Sequence, residues 1–226
     1  MSKRIMSNRT MGLIVVVAAI WFWAVFLAVQ VLDPEFSPIR APGSAYVLGR
    51  YGAWMTTTYF ALSAALLSTA FGLATNLPAS ALTRVGWAAF LIAGLGAILA
   101  GLFPMDFPGP PQTVSGRMHA LGGALTFPPW VLGTLLFSLN IRRDPRWGRR
   151  SGTLVALSVM SIVMLAVLFL SVLLLGFGGY AQRLLIGVLF AWMIVVALHL
   201  IRSLAEDGGS QPNRPLQPTS GAGAWG

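Results

Sequence analysis

The sequence predicts an all-α, polytopic membrane protein: a six-transmembrane-helix bundle with its N and C termini cytoplasmic. Three observations carry that prediction. First, the chain of 226 residues is 56% hydrophobic and only 9% charged. Soluble domains average about 25% charged residues, so this surface is too apolar for water. Second, six apolar runs lie between residues 11 and 204, separated by short loops. Each approaches the roughly 20 residues that a helix needs to cross about 30 Å of hydrocarbon. Third, the Lys and Arg residues flank these runs with a strong bias to one side.

The first span is expected over 11–32. Lys3, Arg4 and Arg9 precede it, as they would a signal peptide. Signal sequences carry only about 7–15 apolar residues before a small-residue cleavage site. This run is longer and ends in VQVLDPEF, so it is expected to be retained. The second span, 53–76, contains Thr56, Thr57, Thr58, Ser63, Ser68, Thr69 and Thr75. Several of these hydroxyls are expected to bond back to their own helix carbonyls, and others to line an interior cleft. The third span, 85–103, carries Ala89, Ala93, Ala97 and Gly101 at spacing four. In lipid, close packing rather than burial from water drives helix association, so another helix is expected on this stripe. The fourth, 117–140, contains Pro128 and Pro129. Each removes an amide donor and clashes one turn back, which predicts a kink. The fifth and sixth spans cover 152–176 and 181–204. Residues 1–10 form the expected cytoplasmic N-terminus. Residues 205–226 form an expected disordered cytoplasmic tail, because the Gly-, Pro-, Ser- and Gln-rich stretch from Gly208 has no apolar face to bury.

Alternating spans place 11 basic residues on one face and four, Arg40, Arg50, Arg117 and Arg183, on the other. The positive-inside rule makes the basic face cytoplasmic and the localisation a cell membrane. The net charge of +9 therefore reports topology, not nucleic-acid binding. The loop RRDPRWGRR at 142–150 reads as an orientation anchor that touches anionic lipid headgroups. With no Cys in the chain, disulfides and thiolate chemistry are excluded. The two His residues fall at opposite membrane faces, so no metal centre and no cofactor is expected.

The candidate site is the face opposite the basic one. Arg50, Arg117 and Arg183 each sit at the start of a helix, where the helix dipole repels a cation by roughly 0.3–1 kcal/mol. Asp33, Glu35 and Asp106 lie on the same face. This suggests an anion-binding clasp, filled either by an internal Arg–carboxylate network or by an external anion such as a lipid phosphate. The stretch GLFPMDFPGPPQTVSGRMHALGG at 101–123 sharpens the expectation. Its prolines stiffen the loop around Asp106, Ser115 or Thr113 can cap the fourth span, and Arg117 and His119 lie in that span's first turns. The candidate ligand residues are Arg50, Tyr51, Asp106, Thr113, Arg117, His119 and Arg183. His199 with Arg202 is expected to anchor the opposite interface.

Three function classes stay open. The preferred one is a protein without catalysis of its own that engages anionic lipid headgroups or a protein partner, which includes a second copy of itself. The second is a membrane-embedded enzyme acting on a lipid headgroup, with Asp106 and His119 as acid and base. No GxSxG, HExxH or Gly-rich phosphate loop accompanies that pair. The third is a small-molecule or lipid transporter. The middles of the spans hold no ionisable residue, which argues against proton coupling but not against a lipid-conducting groove.

Three stretches, SPIRAPGSAYVLGRYGAWMTTTYF, GLFPMDFPGPPQTVSGRMHALGG and YAQRLLIGVLFAW, resemble the bacterial and archaeal family called domain of unknown function 998. Its members are similar six-helix membrane proteins with an FP-D…T…G-H loop after the third helix. The resemblance covers roughly 11–204. It implies that Asp106, Thr113, Gly116, His119, Arg183 and the Gly49–Tyr51 turn are the positions that matter. A more distant similarity to six-helix proteins of the Frag/DRAM type implies a lipid-linked or regulatory role.

Overall fold

The computed structural model describes residues 7–107 and 109–207, with side chains described as far as Arg202. Six long helices make up the bundle: α1 (Asn8–Leu32), α2 (Gly52–Asn76), α3 (Ala81–Leu102), α4 (Val114–Ile141), α5 (Arg150–Leu175) and α6 (Gly179–Asp207). All six are long and apolar enough to cross a membrane, so the chain is a multi-pass membrane protein. The helices run a few residues beyond the apolar runs because polar caps lie outside them. Ser7, Ser80 and Thr113 accept hydrogen bonds from Thr10, Thr83 and Gly116 N–H at the starts of α1, α3 and α4. The expected disordered tail lies outside the described residues from 208 onward, and α6 continues through Asp207.

Consecutive helices pack side by side, and α1 closes the ring against α6. The small-residue stripe of α3 is covered as expected: Ala89, Ala93 and Ala97 are buried, and a Cβ on Gly101 would meet Tyr59 of α2 at 2.9 Å. The closest approach is between α3 and α4, where backbones touch. A Cβ on Gly122 would lie 2.6 Å from the Ala100 amide nitrogen and 2.8 Å from the Gly96 carbonyl oxygen. Pro128 and Pro129 sit inside a continuous α4. The hydroxyls of α2 largely bond to their own helix: Thr56, Thr57, Thr58, Thr69 and Thr75 donate to carbonyls three or four residues back.

Large aromatic side chains fill the middle of the bundle. Phe90, Phe137, Trp130, Phe190 and Trp192 interlock there, with Trp130 and Phe190 edge to face at 5.6 Å. The Trp192 Nε1–H donates to Ser138 Oγ at 2.8 Å, and Ser138 meets Ser158 of α5 at 2.8 Å. The buried residues of α5 are Leu154, Ser158 and Ser161, all in its first half. Its second half, with Leu173 78% exposed, faces lipid. On the basic face the 142–150 loop is pinned across the bundle. The Trp147 ring stacks on His199 with centroids 3.7 Å apart, and Arg150 Nη1 lies 3.1 Å from His199 Nδ1. Arg146 pairs with Asp144 at 2.6 Å and also donates to the Asn76 carbonyl. That pairing holds the Asp144 carboxyl below its ordinary range.

At the opposite end, residues 33–51 are a plug. The segment drops a 3₁₀ turn, Gly43–Leu48, into the mouth of the ring, and Ala45 and Tyr46 are fully buried. The Tyr46 hydroxyl donates to the Phe36 carbonyl at 2.8 Å, and burial pushes its pKa up. The plug is tied to α6 at three places. Tyr180 N–H donates to the Ile39 carbonyl, Gly43 N–H donates to Gln182 Oε1 at 2.7 Å, and Arg183 donates to the Ala41 carbonyl.

Candidate functional site

The loop after α3 folds Asp106 back onto the start of α4. Its carboxylate accepts from the N–H groups of Gln112 and Thr113, each at 2.8 Å, and from the Thr113 hydroxyl at 2.9 Å. Thr113 in turn caps the helix by accepting from Gly116 N–H at 3.0 Å. Ser115 instead donates to the Pro104 carbonyl at 2.8 Å, which ties the proline-rich turn to α4. Gly116 is glycine for space: a Cβ there would collide with the Asp106 carboxylate. The backbone amides of Thr113 and Gln112, and then the Thr113 hydroxyl, hold the Asp106 carboxyl below the usual carboxylate range, with the smallest contribution from Arg117.

A second carboxylate repeats the arrangement at α2. Asp33, the C-cap of α1, is 1% exposed and accepts from Tyr51 N–H at 3.3 Å. Gly49 is its counterpart to Gly116, since a Cβ there would strike the Asp33 side chain. Two of the three helix N-termini on this face are therefore filled by the chain's own acids. The expected Arg–carboxylate network is not what holds them. Among the described residues the one ion pair is Arg146–Asp144, on the basic face. The acids use backbone amides instead: Gln112, Thr113 and Tyr51, at or just before the N-caps of α4 and α2, present their N–H groups at fixed positions.

The arginines have separate partners. Arg117 and Arg50 are exposed, the latter over the Tyr51 ring at 5.6 Å. Arg183 is the half-buried member. It donates from Nε to Gln30 Oε1 at 2.7 Å and from Nη1 to the carbonyls of Ala41 and Gly179 at 3.0 and 2.8 Å. Its face lies over Phe26 at 5.4 Å, and its buried Nη2 has no hydrogen-bond partner among the described residues. It bolts the plug to α1 and α6. His119 is likewise engaged away from Asp106. Its Nδ1 sits 3.0 Å from the Ala100 carbonyl oxygen and 2.9 Å from that of Phe103, so Nδ1–H caps the last turn of α3. The acid–base pair that an enzyme would need has each member bonded elsewhere.

Asp106→Asn removes the charge from a carboxylate held by three donors. The variant is expected to melt at a lower temperature than wild type at pH 7. The sign with pH follows from the depressed value. The stabilisation is present above the ordinary Asp pKa of about 3.9 and disappears as pH falls through the lower folded-state value. The gap between wild type and variant therefore closes on acidification below about pH 4, which thermal unfolding in detergent across a pH series reads directly.

Beneath the plug lies a cavity, and of the α2 hydroxyl residues expected at an interior cleft Thr58 lines it. Its volume is about 200 Å³, and it is bounded by α1, the 3₁₀ turn, α2, α3, α4 and α6. The deep wall is apolar, with Phe22, Met55, Leu62 and Phe127. The end near the plug is polar, with Ser44, Tyr59, His119 and Gln182. Tyr59 lies seven residues into α2, about 10 Å down the helix. Its hydroxyl is buried without a hydrogen bond; Ser44 stands close, outside bonding geometry. On the α4 side the lining includes exposed Ala120 and half-buried Gly123, and a Cβ on Gly123 would meet nothing within 4 Å. The signal that could have found this site is a tyrosine and a glutamine, Tyr59 and Gln182, inside otherwise apolar runs. Of the predicted ligand residues, His119 alone lines the cavity; Arg50, Tyr51, Asp106, Thr113, Arg117 and Arg183 surround the plug and the helix starts above it. Among the described residues no group of His, Asp and Glu is arranged to hold a metal ion.

A search of curated proteins found no match, and neither did a search of solved structures, so the Frag/DRAM similarity gains no support. The family model described as "Protein of unknown function (DUF998)" matches residues 16–199. That range takes in the plug, the Asp33 and Asp106 carboxylates and the whole cavity lining. The chain therefore belongs to the DUF998 family of proteins of unknown function.

Proposed function

We propose that this protein is a binding protein of the cell membrane that holds the apolar part of a small membrane-derived amphiphile inside its bundle. The cavity carries the reading. A dry cavity of about 150 Å³ lined by Leu, Ile and Phe is enough to bind benzene. The present one, about 200 Å³, suits a ring or a short length of alkyl chain, not a whole phospholipid. Its polar end lies beneath the plug, at the depth where an amphiphile's head would sit. Gly123 marks the entrance from the bilayer, between α4 and α6, which barely meet. The carboxylates at the starts of α2 and α4 keep the roof in place, and Arg183 bolts the plug, so the clasp is the frame of the site. Arg9, Arg84, Arg142, Arg143, Arg146, Arg149, Arg150 and Arg202 border the other face, which makes that face cytoplasmic, with both termini inside, and lets it rest on anionic headgroups.

Native mass spectrometry after gentle extraction tests the reading. Wild type is expected to carry a bound small molecule that Gly123→Phe lacks, because the new ring enters open space and fills the cavity. Gly123→Phe is expected to elute as folded protein. Equal occupancy in both, or none in either, would overturn the proposal.

A further inference from the structure

We infer that the polar end of the ligand is an uncharged hydroxyl group, seated among Ser44, Tyr59, His119 and Gln182. This rests on the cavity-binding reading above and narrows it to a chemical class. No Asp, Glu, Lys or Arg lines the cavity. A charged head would therefore be buried without a counter-ion, which a low-dielectric interior disfavours strongly. Of the charged groups nearby, Asp106 is held by the amides just before α4, Asp33 by Tyr51 N–H, and Arg183 by Gln30 and two carbonyls; Arg183 keeps only Nη2 open, and it is outside the cavity lining. Those same acids already face the starts of α2 and α4.

The unused polar atoms match a hydroxyl from both sides. His119 Nδ1 faces two carbonyl oxygens and must carry its proton there. With the proton on Nδ1, Nε2 is an acceptor that a ligand donor can meet. Gln182 has its Oε1 committed to Gly43 N–H, which fixes the amide orientation and leaves the NH₂ group as a donor with no partner among the described residues. The Tyr59 hydroxyl is buried without a hydrogen bond there, with the Ser44 hydroxyl close by. A ligand hydroxyl accepts from Gln182 or Ser44 and donates to His119 with the same oxygen. A ketone or ester can accept but cannot satisfy His119, and a carboxylate cannot donate at all.

Three photoreactive alkyl diazirines of equal length, ending in a hydroxyl, a carboxylate or a methyl group, separate the outcomes. Each is added to the protein in nanodiscs at pH 7.4, and cross-links are mapped to peptides containing Tyr59 or Phe127. The hydroxyl probe is expected to label these peptides about three- to tenfold more than the methyl or carboxylate probe, the ratio one or two net hydrogen bonds give. The double substitution Ser44→Ala with Tyr59→Phe removes the two hydroxyls that stand together at the polar end. It should lower hydroxyl-probe labelling part of the way toward the methyl level, because His119 and Gln182 remain, and leave methyl labelling unchanged. Each single substitution serves if the double variant does not fold. Carboxylate labelling equal to or above hydroxyl labelling, or no response to the substitutions, overturns the hydroxyl assignment while cavity binding stands. Absence of all labelling at Tyr59 and Phe127 removes the cavity reading and this inference with it.

Discussion

Gly122→Val will force α3 and α4 apart and destabilise the bundle by about 3 kcal/mol, the upper end of the usual range for overpacking. The reason is what the new side chain would strike. Most overpacked sites relax by moving the tip of a flexible neighbour. Here the atoms in the way are backbone: Ala100 N at 2.6 Å, Gly96 O at 2.8 Å and Ala100 Cα at 2.9 Å. Neither helix can yield locally, so the whole contact must open. In a membrane that contact is a principal source of cohesion, because lipid tails compete for every apolar surface and leave close packing to hold the helices. Gly123→Val is the matched control. It adds the same atoms one residue along, into open space, and should melt within a few degrees of wild type. Thermal unfolding of both variants in one detergent gives the comparison. Similar losses in the two would mean that helix propensity, not the backbone contact, sets the result.

Arg183→Ala will release the plug. The guanidinium makes three hydrogen bonds and covers the Phe26 ring. Bonds to charged groups contribute about 1.5–3 kcal/mol each. Against that stands a buried Nη2 without a partner and a cation without a counter-ion among the described residues. The net loss is expected at about 2 kcal/mol, concentrated in residues 33–51 and the first turns of α6. Hydrogen–deuterium exchange should rise there and stay near wild type in α3 and α4. Arg183→Lys should not rescue it. A single ammonium cannot reach Gln30, Ala41 and Gly179 in the planar fork that arginine presents. Uniform exchange across the chain, or full rescue by lysine, would mean that Arg183 acts by charge alone.

The spans were legible in the sequence because lipid imposes a length and an apolar content that any window of residues reveals. Their true ends were less so. Ser80 and Thr113 begin α3 and α4 with side-chain caps, and these polar residues lie outside the apolar run that marks a span. The small-residue stripe of α3 could be read because Ala and Gly at spacing four have one geometric meaning in a helix. Asp106 was correctly seen as a fixed carboxylate beside α4, yet its partners were assigned to arginines. Backbone amides carry no sequence signature, so the competition between an amide-lined helix start and a nearby guanidinium is invisible until the turn is built. Asp33 was harder still: 18 residues separate it from Tyr51, and only the folded plug brings the two together. The hydroxyls of α2 hinted at an interior cleft, and Thr58 lines the cavity, but its place and its other walls were not legible. It arises where helices and a loop fail to fill a space, which is a property of their convergence and not of any one segment.

The most direct test is an experimental density map of the protein extracted with its native lipid. The account predicts an elongated feature running from Phe127 toward the plug, ending within hydrogen-bonding distance of Ser44, His119 or Gln182. A cavity holding only ordered water, with amphiphile density confined to the outer surface of the helices, would contradict it.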